Sequence, residues 1–137
     1  MRILGIDYGE ARTGLAISDE NERLSTVIGT VHERDKHRLT EKIAELCKER
    51  NIKKIVLGLP KNMDGSEGFR AEYTRQFQKL LEEALPQLSF DFYDERLTTI
   101  AASRFMMEAN TKGKKKRESI DALSAQIILQ DYLDHKS

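Results

Sequence analysis

The feature that most constrains the fold is the N-terminal segment at residues 2–19, RILGIDYGEARTGLAISD. Two short apolar runs, at residues 3–6 and 14–17, flank a turn that contains Gly9. Runs of this length around such a turn predict two neighbouring antiparallel strands. The first strand ends in Asp7, and a carboxylate at the end of a core strand is costly unless it is paired, solvated or bound to a cation. The rest of the chain is therefore expected to bring partners to Asp7.

Further along the chain, the spacing of apolar residues alternates between strand and helix periods. The predicted elements after the first two strands (residues 2–7 and 14–18) are, in order, a strand at 25–32, a helix at 39–50, a strand at 53–58, a helix at 67–86, a strand at 88–93, and helices at 98–109 and 118–133. Strand–helix–strand connections require parallel neighbours, so the fourth and fifth strands are predicted to continue beside the first. This order predicts a single α/β domain over residues 1–137, with a ribonuclease H-like, mixed five-stranded sheet flanked by helices.

Composition narrows the class of protein. Lys plus Arg equals Asp plus Glu at 23 each, so net charge gives no indication of a polyanionic partner. The single cysteine, Cys47, excludes an intrachain disulfide and is expected to be a buried structural thiol. No apolar stretch is long enough to span a membrane and no signal-peptide pattern is present, which predicts a soluble cytoplasmic protein without a membrane partner.

Basic residues are concentrated in one segment, where five of them and no acid lie between Lys112 and Arg117. Taken alone, such a segment is typical of a flexible charged loop. Because this segment immediately precedes Asp121, an acidic residue that could bind a metal ion, contact with nucleic acid is the better hypothesis. The residues predicted to position phosphates there are Lys114, Lys115, Lys116 and Arg117.

Acidic residues follow the strands that should end at one edge of the sheet. Asp7 ends the first strand, and Asp94 or Glu95 ends the fifth, so these carboxylates can meet where α/β sites usually lie. Asp121, at the start of the last helix, is either an exposed carboxylate favoured by the helix dipole or a third acid aimed at that edge. Converging carboxylates need cations, and oxygen ligands favour Mg²⁺ or Mn²⁺ over zinc. Two such ions about 3.5–4 Å apart can support phosphodiester cleavage.

Several residues near this edge have two interpretations. Arg12 and Thr13 either belong to a tight turn between glycines or present a guanidinium and a hydroxyl to a phosphate. Arg96 is expected to pair with a neighbouring carboxylate or with a phosphate, and the sequence does not separate these. Gly58 and Asn62 are expected to shape the loop after the fourth strand, with substrate contact a second interpretation for Asn62.

Four segments together resemble one known family. IDYGEARTGLAISD, IVLGLPKNMDGSEG, YDERLTT and SIDALSAQIIL look like the YqgF family, also called RuvX, the pre-16S rRNA nuclease or Holliday junction resolvase family. The resemblance implies a ribonuclease H-like fold and a metal-dependent nuclease that matures the 5′ end of 16S ribosomal RNA in the cytoplasm, junction resolution being the older proposal. By matching position it also implies the acids Asp7, Glu95 and Asp121, and it favours Glu95 over Asp94.

The resulting hypothesis is an Mg²⁺- or Mn²⁺-dependent endonuclease acting on structured RNA, in ribosomal precursor particles, or on branched DNA. Asp7, Glu95 and Asp121 would hold the metals, while Arg12 and the basic segment would position phosphates. One alternative is a nucleotide-binding module related to actin-like ATPases and sugar kinases, although 137 residues leave no room for their second lobe. The other is a non-catalytic RNA-binding factor in ribosome assembly.

Overall fold

A computed structural model describes residues 1–98 and 114–136, and the side chains of all of these except 114–119. The helix predicted at residues 98–109 therefore lies, apart from its first residue, outside the described residues. The strands are β1 (Arg2–Asp7), β2 (Arg12–Ser18), β3 (Ser25–His32), β4 (Ile52–Leu59) and β5 (Ser89–Asp94). The helices are α1 (Lys36–Glu49), α2 (Phe69–Ala84) and α3 (Lys114–His135), and a 3-10 turn spans Glu95–Leu97.

The five strands form one mixed sheet in the order β3-β2-β1-β4-β5. β2 is antiparallel to both β1 and β3, whereas β4 is parallel to both β1 and β5. This arrangement confirms the predicted topology. It also places the C-terminal ends of β1, β4 and β5 at one edge of the sheet.

The two faces of the sheet carry separate apolar cores because alternate residues of each strand point to opposite sides. The core on the α1 and α2 side includes Leu4, Ile6, Leu39, Ile43, Ile55, Leu57, Phe77 and Leu81. The core on the α3 side consists of Ile3, Ala16, Val56, Ala125, Ile128, Leu129 and Leu133. The helices on either side thus fix the sheet between them.

Helix α1 shows how local sequence sets these elements. Asp35 caps its N-terminus, where its carboxylate accepts hydrogen bonds from the backbone N–H of His37 at 2.8 Å and of Arg38 at 3.3 Å. Cys47 lies on its buried face, and burial raises the pKa of this thiol to about 12. The prediction of a buried structural thiol is confirmed.

Helix α3 packs unusually close to the sheet because β1 contributes a glycine to the contact. A Cβ placed on Gly5 would lie 2.7 Å from the Cβ of Leu129, closer than such atoms approach in proteins. Only a residue without a side chain therefore permits this packing.

Among the described residues, no helix combines the length and the apolar character that crossing a membrane requires.

A hydrogen-bonded ion pair ties α3 to β4 and β5. Lys54 on β4 lies 2.9 Å from the carboxylate of Asp91 on β5, and the Tyr132 hydroxyl of α3 donates to the same carboxylate at 2.6 Å. The hydrogen bond from Lys54, followed by that from Tyr132, lowers the pKa of Asp91. The charged form of Asp91 is therefore the form that the fold stabilises.

Substituting Gly5→Ala should force α3 away from the sheet and lower the free energy of unfolding by about 1–3 kcal/mol, the usual cost of overpacking a core. Urea denaturation followed by circular dichroism measures this change. Gly68→Ala is the control, because its new Cβ would meet only Asn62, at 3.8 Å, and the loss of a glycine N-cap on α2 should cost about 1 kcal/mol or less. Equal stability of Gly5→Ala and the wild type would contradict the close packing.

The Asp91 interaction makes stability depend on acid pH. Because its pKa is lower in the folded chain than in the unfolded chain, its contribution is present above about pH 4, the unfolded value, and disappears as pH falls through the folded value. Asp91→Asn should therefore be less stable than the wild type at pH 7, and the difference should shrink on acidification. Thermal unfolding at pH 7, 4 and 3 tests this, and a pH-independent difference would contradict it.

Candidate functional site

Asp7 is the last residue of β1 and is only 7% exposed. It pairs across the sheet with Gly14 of β2, and the pairing of Ile6 with Leu57 places Gly58 of β4 beside it on the other side. The alternation of side chains puts Asp7 on the same face as Gly5, which is the face that α3 covers. A carboxylate thus lies at the strand end between two residues without side chains.

Both flanking glycines are approached closely by the other candidate acids. A Cβ on Gly14 would overlap the backbone carbonyl oxygen of Asp121, and a Cβ on Gly58 would lie 2.9 Å from Oε1 of Glu95. Asp121 therefore lies over β2 and Glu95 over β4, on either side of Asp7. The fold brings the three predicted acids to one edge and one face of the sheet.

The three carboxylates nevertheless do not converge on one point. Within residues 1–98 and 114–136, no group of three or more His, Cys, Asp or Glu side chains has the geometry to hold a metal ion. Glu95 and Asp121 are instead separated by the strand that carries Asp7. A site built here would share Asp7 between two neighbouring positions.

Arg12 offsets the charge of one of these acids. Its Nε lies 3.3 Å from Oδ2 of Asp121, and the side chains are 36% and 16% exposed respectively. The interpretation of Asp121 as a first-turn carboxylate is wrong, because α3 begins at Lys114 and its first turn contains no acid. Asp121 is held beside the sheet by close backbone packing and by Arg12.

Thr13, in contrast, is completely buried. Its hydroxyl donates to the carbonyl oxygen of Gly9 and accepts from the Gly9 N–H, each at 3.4 Å, and a Cβ on Gly9 would overlap the carbonyl oxygen of Arg12. These contacts favour the tight-turn interpretation of Thr13. The turn leaves the Arg12 side chain partly exposed at the site.

Asp94 and Glu95, which the residue pattern could not separate, have different roles in the structure. The Asp94 carboxylate accepts from the Arg96 backbone N–H at 3.0 Å and pairs with its guanidinium at 2.7 Å, and these bonds lower the pKa of Asp94. Arg96 also donates to the Met63 carbonyl oxygen at 3.2 Å. Arg96 thus pairs with a carboxylate, and Asp94 stabilises the turn that presents Glu95.

The loop after β4 is held by its own polar groups. The Asn62 side-chain amide donates to the Ser66 hydroxyl at 2.9 Å, and the Asn62 backbone N–H donates to the Ser66 carbonyl oxygen at 2.9 Å. These bonds agree with the predicted loop-shaping role of Asn62. Gly14 and Gly58 have a larger role than predicted, since they let Asp121 and Glu95 approach the sheet beside Asp7, a role for which a lone glycine gives no sequence signal.

The basic segment is not a loop from Lys114 onward, because α3 already begins at that residue. Lys and Arg are good helix formers, so a run of them after Gly113 extends the helix toward its N-terminus. The side chains of residues 114–119 are not described. The phosphate contacts of Lys114, Lys115, Lys116 and Arg117 accordingly stay predictions.

Proteins with similar sequences share almost the whole chain. One relative, a candidate pre-16S rRNA nuclease of Acetivibrio thermocellus, is 43% identical over 137 residues, which cover 99% of this chain and 97% of the relative. Another of the same name, from Bacillus cereus (strain B4264), is 44% identical over 138 residues, covering 99% of this chain and all of the relative.

Solved structures of low sequence identity share the fold. RuvC of Thermus thermophilus in complex with a Holliday junction substrate superposes with a TM-score of 0.61 at 14% identity, covering 98% of this chain and 94% of that chain. Fowlpox virus resolvase in complex with Holliday junction DNA gives a TM-score of 0.56 at 12% identity, covering 98% and 97%. The predicted ribonuclease H-like fold is therefore confirmed.

A family model described as RuvX, Holliday junction resolvase, matches residues 1–135. A match over nearly the full length, together with relatives above 40% identity, settles the family that the sequence motifs indicated. The chain belongs to the RuvX family of nucleases, hydrolases that act on phosphodiester bonds.

Proposed function

We propose that residues 1–137 act as one nuclease domain, a divalent-metal-dependent endonuclease that matures the 5′ end of pre-16S rRNA in the cytoplasm, within ribosomal precursor particles. The observation that carries the catalytic part is the buried Asp7 carboxylate between Gly14 and Gly58, with Asp121 and Glu95 over these glycines. The names of the relatives from Acetivibrio thermocellus and Bacillus cereus support the RNA substrate.

The donor set fits a hard divalent cation. The three acids offer oxygen atoms alone, which suit Mg²⁺ or Mn²⁺, and the absence of a Cβ on both neighbours of Asp7 lets Asp121 and Glu95 approach the sheet on either side of its carboxylate. Asp7 with Glu95, and Asp7 with Asp121, would hold the metal. When bound there, divalent ions would activate water and stabilise negative charge on the leaving oxygen.

The protein's own groups would orient the substrate. Asp7 is fixed by the β1 ladder and excluded from bulk water, so its charge acts strongly on what is bound beside it. Arg12 pairs with Asp121 and is partly exposed, which leaves its guanidinium able to contact a phosphate as well. Arg96 would join the phosphate contacts only by sharing its pairing with Asp94.

The basic residues at the start of α3 also support the binding of a phosphate backbone near the acids. Lys114, Lys115, Lys116 and Arg117 lie at the N-terminal end of this helix, where the helix dipole disfavours positive side chains. A phosphate backbone bound at this end would neutralise both the dipole and the side chains. The segment would thus hold a polyanion within two helical turns of Asp121.

Branched DNA is the second candidate substrate, because the matching family model carries the description of a Holliday junction resolvase. A cleavage assay with Mn²⁺ that offers precursor 16S rRNA and a four-way DNA junction side by side distinguishes the two. Cleavage of the precursor RNA at the mature 5′ end, with slower cleavage of the junction, supports the proposed function. The reverse preference would assign the chain to junction resolution.

Asp7→Asn should reduce cleavage by more than about a hundredfold, which exceeds the 10–100-fold typical of groups around a metal ligand. It should leave binding of the same RNA within about twofold, because phosphate contacts supply most of the affinity. The wild type should also gain thermal stability with Mn²⁺, and the variant should not.

Asp134→Asn is the matched control for this substitution, because Asp134 is an exposed carboxylate near the other end of α3. It should cleave at the wild-type rate. Unchanged cleavage by Asp7→Asn would overturn the proposed site. RNA binding without cleavage by the wild type under any divalent metal would instead select the non-catalytic RNA-binding alternative.

Arg12→Gln should weaken RNA binding and reduce the slope of log K against log salt by about one, as expected for the loss of one phosphate contact. Arg96→Gln is the comparison, because its guanidinium is held more closely, at 2.7 Å from Asp94 and by a second bond to the Met63 carbonyl oxygen, than that of Arg12 at 3.3 Å from Asp121, so the slope should change less. Fluorescence anisotropy at several salt concentrations measures both. Identical slopes for Arg12→Gln and the wild type would remove Arg12 from the binding surface.

A further inference from the structure

Two aromatic side chains are exposed at the start of α2. Phe69 is 66% exposed and Tyr73, one helical turn later, is 38% exposed. Their rings contact edge to face, with centroids 5.9 Å apart and an interplanar angle of 74°. An exposed pair of packed rings is costly in water and indicates a surface that binds a ligand or another macromolecule.

Two cavities flank this ring pair. One, of about 330 Å³, is lined by Tyr8, Glu10, Arg34, Lys36 and Tyr73. The other, of about 290 Å³, is lined by Pro60, Lys61, Asn62, Gly68, Phe69 and Arg70. Each ring of the pair lines one cavity, so the two cavities and the rings form one continuous surface, called here the aromatic surface.

The charge of the aromatic surface is positive. Among the described residues that line the two cavities, Arg34, Lys36, Lys61 and Arg70 are basic and Glu10 alone is acidic. In the part of the chain that the structure describes, no ion pair joins any of the four basic groups to a carboxylate. This concentration stands out in a chain whose basic and acidic residues are equal in number.

One of the basic groups is already paired with a ring. Nζ of Lys36 lies 5.1 Å from the centroid of the Tyr73 ring and 3.5 Å from Oε1 of Gln76. Basic groups beside exposed rings complement a ligand that carries both negative charges and flat faces. Nucleic acid strands have this combination, with one phosphate for each base.

The aromatic surface adjoins the candidate active site. Tyr8, which lines the first cavity, follows Asp7 directly, and its ring stacks on Phe77 of α2 with centroids 4.5 Å apart. Pro60, in the second cavity, lies two residues after Gly58. A strand bound beside Asp7 on the α3 face would therefore reach this surface by crossing the edge of the sheet.

We propose that the aromatic surface binds an unpaired segment of nucleic acid next to the bond that is cleaved. Bases of the segment stack on Phe69 and Tyr73, and its phosphates contact Arg34, Lys36, Lys61 and Arg70. The occupant is single-stranded because the faces of bases within a duplex are covered by their neighbours. This inference rests on the proposed function and adds to it the strand form that the enzyme recognises.

The test is the binding of a 12-nucleotide single-stranded RNA carrying 2-aminopurine to the full chain, in EDTA, where metal-dependent cleavage does not occur. Binding to the wild type should quench the fluorescence as the base stacks. In Phe69→Ala/Tyr73→Ala the quenching should be lost and Kd should rise roughly 5–150-fold for each stacked base that is lost. Phe69→Trp should keep both, and a blunt RNA duplex should bind wild type and double variant within about twofold.

Two matched controls separate stacking from general effects. Leu24→Ala removes an exposed apolar side chain, 62% exposed, at the opposite edge of the sheet and should not change Kd. Lys79→Gln removes an exposed charge further along α2 and should weaken binding less than Arg70→Gln does. Circular dichroism should show that the double variant is folded, since the two rings that it lacks are exposed in the wild type.

An unchanged Kd and unchanged quenching in the double variant would overturn the inference, as would an equal loss of binding to the duplex. The outcome is independent of catalysis because the assay contains no metal. If Asp7→Asn loses cleavage but the double variant binds normally, only the proposed binding role of the aromatic surface is overturned. If Asp7→Asn still cleaves while the double variant loses stacking, the proposed catalytic site fails and the aromatic surface stands.

Discussion

The close contact between the backbone of α3 and the sheet is the constraint on which the site depends. Gly5 and Gly14 permit it, because a Cβ on either residue would overlap an atom of the helix or press on it. The same contact sets the height of Asp121 above the strands, since the Asp121 carbonyl oxygen lies directly over Gly14. The position of the third acid is thus a consequence of helix packing, and a side chain at Gly14 would displace the acid together with the helix.

Apolar packing on the α3 face offsets the cost of burying Asp7. A charged carboxylate at 7% exposure loses several kcal/mol of hydration in real proteins. Ile128 and Leu129 are fully buried against the same face, and each such side chain contributes about 1.5–3 kcal/mol. The helix that carries Asp121 therefore also provides much of the stability that allows Asp7 to remain in place.

Strand order, and the presence of Asp7 and of the pair Asp94 and Glu95 at one edge of the sheet, could be predicted because they follow from periodicity, connection length and strand ends, whereas the resemblance to a family alone favoured Glu95. The separate roles of Asp94 and Glu95 could not, because neighbouring residues at a strand end share the same local pattern. Their difference arises from the pairing of Asp94 with Arg96 and from the space over Gly58, which are tertiary contacts. The start of α3 at Lys114 was missed for a related reason, since a basic run after a glycine is equally typical of a loop.

A chain with equal numbers of acidic and basic residues has little long-range attraction for a polyanion. Its affinity for nucleic acid must come from local groups, and the fold places these on both sides of one sheet edge. Arg12 lies on the α3 side, next to the acids, whereas Lys61 and Arg70 lie on the side of α2. Under the proposed function, contacts on both faces would be met only by a strand that crosses the edge beside Asp7, so the geometry of the sheet rather than net charge would couple binding to cleavage.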